Sequence, residues 1–232
     1  MFIYWIVFGG LMVLSLIVSQ TLHSRFDKYS KEPLRSGMTG KEVAEKMLLD
    51  KNILDVKVVA IKGHLTDHYN PKDQTLNLSE SVYSGCSIAA AAVAAHECGH
   101  AIQHAISYKW LKMRSILVPV VQFGVNWSQW ILLAGLILLA VAGKLGFYVL
   151  IAGIILFALT TIFAFVTLPV EYNASVRAIK WLDSSGITSG VETEHANDAL
   201  KWAARTYVVA ALSSLATLLY YIMIALSGRN RN

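Results

Sequence analysis

Four stretches of this chain are long and apolar enough to cross a bilayer: roughly Phe2–Leu22, Ile116–Val141, Leu145–Val166 and Tyr207–Ser227. A hydrocarbon core about 30 Å thick takes about 20 apolar residues in helical form, and within it every backbone polar group must find its partner inside the protein. The chain therefore reads as a multi-pass membrane protein with about four transmembrane helices. Composition agrees, since 55% of its 232 residues are hydrophobic and 15% charged, whereas soluble domains carry about 25% charged residues. Met1–Gly10 holds no Lys or Arg and no small-residue cleavage site follows, so the first run reads as a retained helix rather than a cleaved signal. The second run contains Gln122, Asn126, Ser128 and Gln129, so its first half is expected to face protein rather than lipid. Only Ala-Gly-Lys-Leu-Gly separates the second run from the third, which predicts a helical hairpin.

The spans divide the chain into transmembrane helix 1 (1–22), a polar region (23–115), a transmembrane hairpin (116–166), a second polar region (167–206), transmembrane helix 4 (207–227) and a tail (228–232). In the larger polar region, Val43, Met47 and Leu48 are spaced for a short amphipathic helix over Gly40–Asp50, with Thr39 and Glu42 as a capping box. The β-branched run Val56–Ile61 predicts a strand, Asp67–Pro71 a turn, and the alternating Gln74–Ser79 a half-exposed strand. Ile88–Ala105 is alanine-rich and predicts a helix. Cys86 and Cys98 offer no bridge framework and read as small buried thiols.

Arg25, Lys28 and Lys31 follow the first span, and Lys109, Lys112 and Arg114 precede the second. The positive-inside rule then puts both polar regions on the cytoplasmic side, with Arg229 and Arg231 pulling weakly the other way. The net charge of +5 has no basic stripe interleaved with aromatics, so no nucleic-acid partner is expected.

The chemistry lies in the polar segment His96-Glu97-Cys98-Gly99-His100. On a helix, positions i and i+4 share a face, so both imidazoles can reach one zinc ion at about 2.0–2.1 Å. Glu97 is placed to act as general base and then general acid on a water molecule. A third ligand is still required. The metzincin continuation fails, since Gln103 and Ile106 occupy its Gly and His positions. His104 lies two turns from His96, about 12 Å along the axis, too far to share an ion in a regular helix. Glu171 is the better candidate. Pro169 suits a first helical turn or a kink where the third span ends, which puts Glu171 in a first turn. Two membrane crossings separate it from His100, so both return to one side. The structural alternative for Glu171 is a carboxylate favouring a helix dipole. Cys98 points off the His96–His100 face and reads as packing; His64 and His68 flank the first strands.

The ordered runs Ser36–Gly40, His68–Pro71, Leu76–Ser79, Val93–Gln103 and Thr206–Ala211 resemble the YugP-like neutral zinc metallopeptidases of bacterial membranes, themselves similar to membrane gluzincins. The resemblance implies an α+β fold with a small zincin-like catalytic unit (short sheet plus active-site helix). It implies one Zn2+ per chain held by His96, His100 and Glu171, with Glu97 as catalytic residue. It further implies that Leu76, Asn77 and Leu78 form an edge strand binding substrate main chain. It places the protein in the bacterial inner (plasma) membrane, acting on peptides or membrane-protein segments. Many gluzincins carry Asp four residues after the ligand Glu; Ser175 stands there, so Asn173 or Ser175 is left to support a zinc histidine. For the oxyanion stabiliser the sequence offers His195, Tyr207 and Arg177.

Two other function classes compete. A membrane scaffold with a structural zinc site keeps the three ligands but has no use for Glu97. A metal transporter wants ionisable residues inside the spans, which hold almost none. Cleavage within the membrane fits poorly with a motif flanked by basic residues. The sequence sets no oligomeric state.

Overall fold

The structure, a computed structural model, describes residues 2–229 and the side chains of residues 4–227. The end of the expected tail, with Arg231, lies outside the described residues. The elements run α1 (Phe2–Ser30), α2 (Gly40–Asp50), β1 (Lys57–Ile61), β2 (His68–Asn70), β3 (Thr75–Ser79), α3 (Glu80–Tyr83), α4 (Ile88–Ala105), α5 (Lys109–Ala142), α6 (Lys144–Ser184) and α7 (Val191–Arg229). The fold is mostly helical with one three-stranded sheet, and α1, α5, α6 and α7 are each long and apolar enough to cross a membrane.

The chain forms two compact units. One gathers residues up to Leu16, Met113–Leu168 and the chain from Tyr207 onward. Its small core is Leu132, Leu150, Ile154 and Ala225. There α5 and α6 touch backbone to backbone: a Cβ on Gly135 would lie 2.6 Å from Leu150 Cα, and one on Gly153 2.9 Å from Leu132 N. Thr161 and Ser214 share a hydroxyl hydrogen bond of 2.7 Å between α6 and α7. The hairpin turn is tighter than expected. Gly143 alone, at φ 49°, separates α5 from α6, and Lys144–Gly146 already belong to α6. The expected protein-facing polar stripe of α5 is only partly so: Ser128 is buried, but Gln122, Asn126 and Gln129 are exposed on the single chain.

The other unit comprises Ile17–Lys112 and Pro169–Thr206. Its core sets the alanine face of α4 against Val43, Ala44 and Met47 of α2, Leu76 and Leu78 of β3, and Trp181 and Leu182 of α6. Small side chains on α4 let its neighbours approach closely. The α2 capping box forms as the sequence predicts, with Glu42 N donating to Thr39 Oγ1 and Thr39 N donating to Glu42 Oε2. Helix α1 continues past the apolar run because Phe26 and Tyr29 give its end a buried stripe.

Three expectations for this unit need correction. The stretch around His68–Asn70 is a strand, not a turn. The sheet order is β1-β3-β2, with β1 parallel and β2 antiparallel to β3. Leu76, Asn77 and Leu78 therefore lie in the central strand, not at an edge. Their ladder is shared between two neighbours, and all three are buried rather than half-exposed. The alternating pattern misled because Asn77, a polar residue, is buried and bonded to Thr75 Oγ1 and the His68 carbonyl. Finally, Cys86 is exposed, whereas Cys98 is buried with its thiol on the Ala44 carbonyl.

Candidate metal centre

Helix α4 presents His96 and His100 one turn apart, with ring centroids 4.9 Å apart and nearly perpendicular planes. Helix α6 brings Glu171 to them. Its Oε2 lies 3.3 Å from His96 Nε2 and 3.5 Å from His100 Nε2. The three possible ligand atoms fall within 4.8 Å of one another, and this is the one such group of His, Cys, Asp and Glu found among the described residues. Tetrahedral bonds of about 2.0–2.1 Å separate ligand atoms by about 3.4 Å, so the two nitrogen–oxygen distances suit a shared ion.

Glu171 does not sit in a first helical turn. Helix α6 runs unbroken from Lys144 to Ser184 with Pro169 inside it, so the helix-dipole account of this carboxylate falls away. What positions Glu171 is a close helix crossing. A Cβ on Gly99 would lie 2.7 Å from Ala174 O and 3.0 Å from Ala174 Cα. Only glycine lets α6 pass so near α4, and it does so between the two histidines.

The electrostatics favour a cation. Burial by itself would raise the Glu171 carboxyl, but hydrogen bonds and charge from His100 and His96 outweigh it and hold the group far below the usual carboxylate range. Burial disfavours a charged His100, yet its bond to Glu171 and the nearby Glu97 charge leave it above its ordinary value of 6.5. Both histidines turn Nδ1 outward. Ser175 Oγ donates to the Glu171 carbonyl at 3.0 Å and lies 3.1 Å from His96 Nδ1. A hydroxyl has one proton, so Ser175 accepts from His96 Nδ1–H, which leaves Nε2, the nitrogen facing Glu171, as the one to give up its proton to a metal. Gln103 Oε1 lies 3.1 Å from His100 Nδ1. The residues present thus fit a zinc ion: two outward-anchored imidazoles and an ionised, buried carboxylate.

Glu97 is buried, and its Oε2 accepts from the Tyr69 backbone N–H at 3.1 Å. That N–H points away from β3, so the outer edge of β2 is turned toward Glu97.

The other candidates are engaged elsewhere. His195 Nδ1 lies 2.6 Å from Glu32 Oε2 and its ring stacks on Tyr29. Arg177 Nε donates to Asn173 Oδ1 at 2.8 Å. Tyr207 is exposed and belongs to the other unit. His104 meets Tyr69 Oη, and His68 lies on the Thr66 carbonyl. A cavity of about 400 Å3 lined by Phe26, His64, Val82, Cys86 and Ala90 does not include the metal-site residues.

Residues 4–226 match the family described as "Putative neutral zinc metallopeptidase". The chain belongs to that family. It is similar to "Putative membrane protease YugP" of Bacillus subtilis (strain 168), at 44% identity over 209 residues, 90% of this chain and 90% of that protein. No solved structure matches it. Membership of a neutral zinc metallopeptidase family agrees with the donor set on α4 and α6.

Sequence reasoning had no role for Gly99 or Tyr69, and noted Gln103 only as a mismatch to the metzincin pattern. Gly99 carried a signal, since glycine inside a helix costs about 1 kcal/mol against alanine and implies a packing reason. Gln103 carried a weaker one, an amide in an apolar helix. Tyr69 acts through its backbone and left none.

Proposed function

We propose that this metallopeptidase is a membrane-bound zinc endopeptidase that hydrolyses peptide bonds in a small zincin-like unit, with His96, His100 and Glu171 holding one zinc ion. The observation that carries this is the convergence of those three side chains beside Glu97, whose carboxylate also meets the edge of a strand. Zinc held there supplies Lewis acidity to the scissile carbonyl and makes water more acidic. Glu97 takes a proton from the attacking water as the new C–O bond forms. It then delivers that proton to the leaving amine nitrogen as the C–N bond breaks. β2 has one neighbour in the sheet, and its outer edge beside Glu97 suits main-chain pairing with an extended peptide, which sets the substrate class as peptides or unfolded segments of membrane proteins. Ser175 orients His96.

The two polar regions, 23–115 and 167–206, supply the catalytic unit from the cytoplasmic face of a bacterial inner membrane, on the strength of Arg25, Lys28, Lys31, Lys109, Lys112 and Arg114. Cysteine labelling from each side of right-side-out vesicles checks that orientation.

The deciding experiment compares wild type and Glu97→Gln in detergent for zinc content and casein-peptide cleavage. Both are expected to hold about one zinc, and the variant to lose on the order of 10²–10⁴ in turnover. Zinc in both with cleavage in neither favours the structural-zinc scaffold. Zinc in neither overturns the ligand set.

A further inference from the structure

Resting on the reading of His96, His100 and Glu171 as a metal site, we propose that Arg177, Asn173 and Gln103 form a directed hydrogen-bond chain that holds His100 in the tautomer with a bare Nε2. Gln103 is thereby a positioning residue for the metal.

Gln103 is completely buried in α4, and the two ends of its amide are chemically different. If its carbonyl faces His100, Nδ1 must carry the proton and Nε2 keeps its lone pair. If its NH2 faces His100, Nδ1 must accept, and the proton sits on Nε2, closing that nitrogen to a metal. A glutamine in an apolar pocket has no preference between these states. Here α6 imposes one.

The direction starts at groups that cannot exchange roles. A guanidinium only donates and is never deprotonated in proteins. Arg177 Nε lies 2.8 Å from the Asn173 amide, so Asn173 must present its oxygen there. The same oxygen lies 3.0 Å from Gln103 Nε2. A second acceptor, the Val170 carbonyl, lies 2.8 Å from Gln103 Nε2. Two acceptors therefore meet Gln103 at one end and hold its NH2 there. Its Oε1 is left facing His100 Nδ1 at 3.1 Å, where it can only accept. Reversing the amide would set oxygen against two oxygens and leave buried groups unpaired.

The members on α6 flank Glu171 in sequence. One helical segment thus delivers the carboxylate and selects the tautomer of the histidine beside it. His96 is set separately through Ser175.

The test uses the full chain in detergent and Zn2+ alone as probe, titrated against a chromophoric chelator at fixed pH. Gln103→Met keeps the volume and removes the acceptor. It should weaken zinc binding 10–100-fold, the range typical of lost outer-sphere partners. In metal-free protein carrying 15N-histidine, the His100 nitrogen shifts should report a fully protonated Nδ1 in wild type and a partly deprotonated Nδ1 in Gln103→Met. Asn173→Leu, at a half-buried position, should weaken zinc binding by about tenfold, the low end of that range because the Val170 carbonyl still holds the Gln103 amide, and it serves if Gln103→Met does not fold. Wild-type affinity with an unchanged tautomer in these variants overturns the proposal, even if their thermal stability falls. A wild type that binds zinc no better than His100→Ala overturns the metal-site reading itself and takes this inference with it.

Discussion

Gly99 and Gly135 each let two helices touch backbone to backbone, and what surrounds the two contacts differs. At Gly135, α5 meets α6 among the apolar side chains Leu132, Leu150 and Ile154. In a bilayer, where lipid is as apolar as leucine, such a crossing rests on van der Waals packing at small residues. At Gly99, α4 meets α6 amid His96, His100, Gln103, Glu171, Asn173 and Ser175, and among the described residues no buried side-chain polar atom lacks a partner. One device brings helices close; the side chains around it decide whether the result is a packing joint or a reactive site. Polar networks at a close crossing also tolerate less error, because each displaced partner leaves a buried group unsatisfied.

The sharpest way to break this comparison is Gly99→Ala. The added Cβ would meet Ala174 backbone at 2.7–3.1 Å, so α6 must move and carry Glu171 with it. Zinc affinity should fall by at least about tenfold and stability by about 1–3 kcal/mol, read by chelator competition and thermal unfolding. Gly135→Ala meets Leu150 backbone at 2.6 Å and should cost a similar 1–3 kcal/mol. Zinc affinity of the folded protein should not change. Equal losses of zinc from both variants would sink the distinction.

A pH series sharpens the polar side. In metal-free protein the depressed Glu171 stabilises the fold above its unfolded value near 4.5, and this is lost as pH falls toward the folded value. The raised His100 stabilises the fold below its unfolded value near 6.5, and this is lost as pH rises through the folded value. Both contributions are therefore complete between about 4.5 and 6.5. Zinc requires neutral imidazoles, so the gain in unfolding temperature on adding zinc should grow from pH 5 to pH 8. A gain independent of pH would argue against histidine ligation. The smallest effect belongs to the contact between α6 and α7. Thr161→Val removes the 2.7 Å bond to Ser214 and should cost about 0.6–1.7 kcal/mol with zinc affinity intact.

Much of this was legible because it is local. The capping box at Thr39 and Glu42, the α4 boundaries and the shared face of His96 and His100 depend on residues within a turn or two. Glu171 was reachable by counting membrane crossings, although its place inside a continuous helix was not, since Pro169 reads as a boundary in sequence. The sheet went astray for a different reason: a three-residue strand looks like a turn, and a central strand with a bonded Asn77 alternates like an edge.

By itself the sequence determined how many helices can cross a membrane, where the H-E-x-x-H pair lies and which family the chain resembles, because hydropathy runs and helical spacing are properties of neighbouring residues. Only the tertiary structure decided that Glu171 meets the histidines, that Gly99 admits α6, that β2 rather than β3 forms the edge beside Glu97, and that Ser175 and Gln103 hold the imidazoles. Those outcomes join groups far apart along the chain, and their distances follow from how closely helices and strands pack rather than from any local preference of the residues involved.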